Sequence, residues 1–189
     1  MDGPKGHVTE RLFLAVALDD DARHALAARI TAMTPAGLPG RPVPVRNWHV
    51  TLRFVGRSTE TARDLMLSHL AAHMEEAPFR IRFEGLGAFP TATRAAVLWV
   101  AVADDSGGLT RVAGVCEEAA VAAGFAPEDR PFHAHLTVAR IRPTQPVLSL
   151  VESARSAGVR MDVGAVTMYR SIPGGGSARY EVVDEVPLS

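Results

Sequence analysis

Cysteine occurs once in these 189 residues, at Cys116, which rules out an internal disulfide and a thiolate-rich metal cluster. It falls in line with Leu109, Val112, Ala119 and Ala123 at helical spacing, so its expected place is a core. Lysine is as scarce: Lys5 stands alone beside nineteen arginines. With a net charge of -1 the chain has no general pull toward polyanions, and phosphate binding falls to individual guanidinium groups, whose forked donors suit it. No apolar tract approaches the roughly 18 residues of a membrane span. The opening "MDGPKGHVTE" has no apolar stretch of the kind a secretory signal needs. These absences set the expectation of a cytoplasmic protein with no membrane partner.

Apolar residues make up 47% of the sequence, enough for a core in a chain of this length. Alternating apolar positions predict a strand over 11–19, after which Asp19 or Asp20 caps a helix to about residue 33. The stretch "TPAGLPGRPVPV" cannot continue that helix and reads as a loop into a strand holding His49. Ser58 is the expected cap of a second helix ending near 74. Strands near 79–89 and 95–103 read as a hairpin, and a third helix over about 108–123 stops at Gly124. A strand over 133–141, a short helix over 147–157 stopped by Gly158, and strands near 159–170 and 178–186 joined by "PGGGS" complete the chain. The order is close to one unit written twice. It predicts an α+β fold in which residues 1–189 form a single domain of two lobes, monomeric, with a groove between the lobes.

Two short stretches sharpen this duplication. "HVTL" (49–52) and "HLTV" (135–138) each set a histidine and a threonine two apart among apolar residues. With seven histidines and twelve threonines, such a tetrapeptide is expected by chance only about 0.1 times. A third triplet, His7-Val8-Thr9, is followed by Glu10 and precedes the first strand, so it is set aside. In a strand, residues two apart share a face. His49 and Thr51 therefore project one way while Val50 and Leu52 enter the core, and His135, Thr137, Leu136 and Val138 repeat the pattern.

Two imidazoles near neutral pKa can act as base and acid in one turnover. Placed on opposite sides of a groove they suit in-line displacement at phosphorus, with the two threonine hydroxyls donating to the non-bridging oxygens and no metal or other cofactor required. A 2',3'-cyclic phosphodiester on ribose fits so spare a site, because its strained ring opens readily and its leaving group stays tethered.

The twin tetrapeptides, together with "HVTLRFVG", "GLGAFP" followed by "VLWVAV", "FHAHLTVAR" and "SARYEVVDEVPLS", resemble the two-histidine phosphoesterases, and among them the RNA 2',3'-cyclic phosphodiesterases long called 2'-5' RNA ligases. The resemblance spans nearly the whole chain. It implies a bilobal α+β fold with two mostly antiparallel sheets, helices on the outside, a pseudo-twofold relation and a central cleft. It also implies that His49 protonates the leaving 3'-oxygen and His135 activates water, leaving a 2'-phosphate on an RNA end or a small cyclic nucleotide. The family name further suggests 2'-5' ligation. Ala134 departs from the proline that family members often carry there, a change that bears on how the strand begins and not on chemistry.

Among supporting residues, Arg53 shares the outward parity of His49 and Thr51, making it the arginine candidate for substrate phosphate. Arg130 and His133 flank the second motif, and His133 shares the parity of His135; both are candidate substrate contacts. Arg140 has the opposite parity and is expected in a structural ion pair. Phe54, Trp48 and Trp99 are expected in the core, Phe132 and Tyr169 at the groove edge. His69 and His73 stand four apart on a helix but lack the glutamate of a His-Glu-x-x-His site, and are expected at a solvent-facing edge. Two other readings compete: a metal-dependent hydrolase built on His49, His133 and His135, and a module that grips RNA ends without turnover.

Overall fold

The structure, a computed structural model, describes residues 9–154, 156–174 and 177–189. His7 and Val8 of the third triplet, Arg155 of the expected fourth helix, and Gly175 and Gly176 of the last turn lie outside these. In chain order the elements are β1 (Glu10–Ala17), α1 (Asp20–Met33), β2 (Arg41–Pro42), β3 (His49–Ser58), α2 (Glu60–His73), β4 (Phe79–Thr91), β5 (Arg94–Ala103), α3 (Gly108–Ala122), β6 (His135–Gln145), α4 (Leu148–Ser153), β7 (Val159–Val163), β8 (Ala165–Ile172) and β9 (Arg179–Pro187). No helix among the described residues is long and apolar enough to cross a membrane.

Local chemistry accounts for the boundaries. Asp19 caps α1 by accepting a hydrogen bond from the Ala22 amide at 2.7 Å. Thr59, not Ser58, caps α2, because Ser58 is consumed as the buried last residue of β3. Gly108 begins α3 against the ring of Phe79, where a Cβ would lie 2.6 Å from Cδ1. Cys116 on α3 is fully buried, and burial pushes its thiol well above the ordinary range, as a core position requires. Leu12, Leu14 and Val16 of β1 join Leu26 and Ile30 of α1, Met66 and Leu70 of α2, and Leu109 and Val112 of α3 in one core.

The strands run β7-β4-β5-β6-β3-β1-β8-β9, with β2 added beside β6, and every pairing is antiparallel. The α+β expectation holds, and the two expected sheets are present as halves of one continuous, curled sheet. Apart from β2, four strands lie on each side of a junction where β3 meets β6 through a single bridge, Val50 with Leu136. The expected strand over 159–170 is divided at Gly164. β7 pairs with β4 in one half and β8 with β1 in the other, so the chain crosses between the halves at that glycine.

Each motif strand carries a bulge at the same place. On β3, Thr51 pairs with Ala15 and Arg53 with the next residue back, Leu14, leaving Leu52 extra. On β6, Thr137 pairs with Trp99 and Ala139 with Leu98, leaving Val138 extra. An extra residue reverses the alternation of faces beyond it. Leu52 and Val138 enter the core as expected, but the predicted directions of Arg53, Phe54 and Arg140, beyond the bulged residues, are inverted.

Candidate active site

The Val50–Leu136 bridge sets the geometry of the two motifs. Carrying that antiparallel register one residue either way places His49 across from Thr137 and Thr51 across from His135. The two histidines are then diagonal neighbours, about 7 to 8 Å apart at the backbone. An axis through the bridge exchanges one His-Thr pair with the other.

Both imidazoles are fixed alike. His49 Nδ1 lies 2.8 Å from the carbonyl oxygen of Asn47, and His135 Nδ1 lies 2.7 Å from that of His133. A carbonyl only accepts, so each Nδ1 carries the proton and each Nε2 is left for the cleft. On the β3 side the chain enters from a single helical turn, Val45–Asn47, one residue before the strand.

Their surroundings differ. His49 sits among Phe13 (ring centroids 4.8 Å apart), Tyr180 (5.3 Å) and Tyr169 (6.1 Å), while Phe13 stacks on Tyr169 at 5.2 Å. Burial pulls the His49 pKa down to about 4; the bond to Asn47 opposes this, and the charges of Arg140 and His135 add to it. His135 meets the edges of Phe89 at 5.1 Å and Trp99 at 6.0 Å. Its pKa is also lowered, first by burial, with the His133 carbonyl opposing and His133 and Arg140 repelling. Burial likewise raises the phenol of Tyr169, assisted by Glu185, so that group remains a protonated donor. On the His135 side a cavity of about 940 Å³ opens, lined by Thr51, Phe54, Phe89, Phe132, His133 and His135. Its size and mostly apolar walls suit a small organic ligand.

Comparison with known proteins places the fold. The model of the 2'-5' RNA ligase superfamily matches residues 7–174. The chain belongs to that superfamily. An RNA 2',3'-cyclic phosphodiesterase of Aeropyrum pernix is 37% identical over 141 residues, covering 75% of this chain and 79% of the relative. That of Thermus thermophilus is 38% identical over 146 residues, covering 72% and 71%. The crystal structure of Escherichia coli LigT complexed with 3'-AMP shares the fold with a TM-score of 0.81 at 22% identity, over 96% of this chain and 99% of that one.

Within this superfamily framework the supporting residues are rearranged by the bulges. Arg53, expected to meet substrate phosphate, is only 9% exposed and stands opposite the buried Leu14. Its Nε lies 2.5 Å from Glu117, Nη1 donates to the carbonyl of Phe54, and Nη2 donates to that of Ala126 at 2.6 Å; Glu128 is 3.6 Å away. While lining the cavity, it makes a structural ion pair that ties the 124–134 loop and α3 to β3. Arg140, expected in such a pair, is the strand partner of Val97, a residue of the cavity wall, and its charge reaches both imidazoles. Phe54, expected in the core, faces the cleft beside Phe13 and is 60% exposed.

Other expectations fare variously. Arg130 is exposed at the cavity rim, 3.9 Å from Asp129, and His133 is exposed beside Trp99 and Phe89. Trp48 is buried, its indole donating to the Val43 carbonyl, whereas Trp99 lies over Gly87 on the cleft side. His69 and His73 stack on one another, and His69 is half-buried where an exposed edge was expected. Among the described residues no three His, Cys, Asp or Glu side chains stand together to hold a metal ion, so the triad of His49, His133 and His135 is not assembled as a donor set. Phe13, Tyr180 and Phe89 are site residues that the sequence does not single out. Their signal is that of any apolar strand residue, and only the register shows them beside the histidines.

Proposed function

We propose that this cleft hydrolyses 2',3'-cyclic phosphodiesters at RNA ends or on small nucleotides, yielding 2'-phosphates without a metal. The observation that carries the reading is the bridge between Val50 and Leu136, which turns two separate motifs into one four-group cradle. It is supported by superfamily membership and by the cyclic phosphodiesterases among the relatives.

In this mechanism the cyclic phosphate binds between the motifs, Thr51 and Thr137 donate to its non-bridging oxygens, and Arg140 offsets its charge. His135, neutral at Nε2, takes a proton from water as the water oxygen attacks phosphorus. The bond from phosphorus to the 3'-oxygen breaks, and His49 supplies that oxygen with a proton. The bound anion restores to His49 the proton affinity that burial removes. The adjoining apolar cavity receives the nucleoside, with Arg130 and His133 at its edge. A 5'-hydroxyl in place of water gives a 2'-5' linkage by the same steps.

Incubating a substoichiometric amount of protein with a 2',3'-cyclic-phosphate oligonucleotide in EDTA tests substrate, metal and regiochemistry together. Complete conversion to the 2'-phosphate is expected. Activity abolished by EDTA and restored by zinc or manganese overturns the metal-free step, and stoichiometric retention of intact substrate overturns catalysis in favour of end binding.

A further inference from the structure

Beyond the motifs, the cleft face of β1 and β3 continues as a graded ladder. Going back along β1, Ala17 pairs with His49, Ala15 with Thr51, Phe13 with Phe54 and Arg11 with Arg57. Residues two apart on β1 share a face, so four successive rungs carry imidazole, hydroxyl, aromatic rings and a pair of guanidinium groups. The last rung is reached through a second irregularity at Val55, followed by Gly56 at φ +84°. A Cβ on Gly56 would meet nothing within 4 Å, so this glycine serves the left-handed backbone and not close packing. The effect is to bring Phe54 and Arg57, three residues apart, onto one face.

Like charges directly opposite one another destabilise a strand pair. Among the described residues neither Arg11 nor Arg57 has a carboxylate within 4.0 Å, and Arg57 makes only a 3.4 Å contact with Thr9 Oγ1. The carboxylate beside them is spoken for: buried Glu10, at the edge of the same cavity, accepts from Arg63 at 2.9 Å and from Arg170 at 2.6 Å. Arg11, Arg57, Arg170 and Ser171 line a second cavity of about 500 Å³ together with Glu60. Six residues of strand put this rung about 20 Å from the His49 rung. That is beyond the reach of the terminal nucleotide and in line with it.

We infer that Arg11 and Arg57 clamp a backbone phosphate of an RNA strand whose cyclic end occupies the cleft, the strand crossing exposed Phe54, on which a base stacks. The inference deepens the cyclic phosphodiesterase reading and rests on it for the position of the RNA end. Guanidinium pairs give the charge-assisted, bidentate contact a phosphodiester needs, and an aromatic platform accepts any base. The chain would then act on oligonucleotides more efficiently than on mononucleotides.

The test compares wild type with Arg11→Ala/Arg57→Ala on a nucleoside 2',3'-cyclic phosphate and on a single-stranded RNA ending in one, across a salt series. A parallel arm measures anisotropy of the same RNA carrying a 2'-phosphate. The variant is expected to raise the KM for RNA about tenfold, to weaken RNA binding in proportion, and to make the salt dependence shallower by about 0.7 for each phosphate it no longer neutralises. The mononucleotide rate is the reference and keeps its wild-type value. A KM for RNA and a salt slope like those of wild type overturn the inference, as does an equal loss on both substrates. If wild type opens neither substrate, the enzymatic reading fails, and the binding arm alone decides: lower RNA affinity in the variant sustains the clamp, unchanged affinity removes it.

Discussion

The two His-Thr strands carry the same backbone and different environments. On β3 and on β6 the histidine bonds through Nδ1 to the carbonyl two residues back, the threonine follows, and an extra residue bulges directly after it. Around this shared frame the side chains diverge. His49 is enclosed by Phe13, Tyr169 and Tyr180, whereas His135 opens onto the cavity beside Phe89, Trp99 and His133. At the second residue past each bulged position one strand has Phe54 and the other Arg140. The strand frame duplicates position, and the neighbours set proton affinity and charge; a symmetric backbone thus presents two unequal imidazoles, which a division into acid and base requires.

The largest expected effect tests that inequality. His49→Ala and His135→Ala should each lower kcat/KM by about 10² to 10⁴, the range general acid-base groups supply, with melting temperatures near wild type. With His49 as acid its removal flattens the alkaline limb of the pH–rate profile, and removal of His135 flattens the acidic limb. Loss of the same limb in both variants would break the assignment.

Next, Arg140→Ala should cost about 10²-fold in rate as charge stabilisation disappears, at little cost to stability. Arg53→Ala should do the reverse, destabilising the fold by about 2 to 3 kcal/mol as Glu117 and two carbonyls lose their partner. Activity and thermal melting of the two variants, side by side, decide whether the bulges exchange these arginines as described.

Acid titration probes the His49 side alone. Its folded pKa of about 4 lies below the unfolded value near 6.5, so the unfolded chain binds the proton first. Stability is whole above about pH 6.5 and falls by about 3 kcal/mol as pH drops to about 4. Denaturant unfolding of His49→Asn should lose that part of the pH dependence; an unchanged profile would show that His49 is not held neutral by its surroundings.

The smallest effect concerns the His135 side. A Cβ on Gly87 would lie 2.2 Å from Trp99 Cη2, so Gly87→Ala must displace the indole. A loss of about 1 to 3 kcal/mol and a shift in tryptophan emission are expected, since overpacking forces such movements. Were emission and melting to stay unchanged, Trp99 would not be seated as a fixed wall beside His135.

Much of this was legible beforehand because it depends on neighbours in sequence. Asp19 capped its helix, Gly124 ended α3 and Cys116 lay in the core, each an effect of local chemistry or helical period. The direction of His49, Thr51, His135 and Thr137 followed from strand alternation up to the bulges. Past them the same rule misdirected Arg53, Phe54 and Arg140, because an unpaired residue is a property of two strands in register and leaves no mark in one. The split at Gly164 was hidden likewise, since partners on opposite halves of the sheet decided it.

The amino-acid order alone determined the α+β alternation, the paired motifs and the chemistry that imidazole and hydroxyl groups can perform, because composition and period act within a few residues. Only the tertiary structure decided that Val50 meets Leu136, which arginine faces the cleft and how far each histidine is buried. Those depend on hydrogen-bond register between strands separated by 86 residues, and on the desolvation that packing around them imposes.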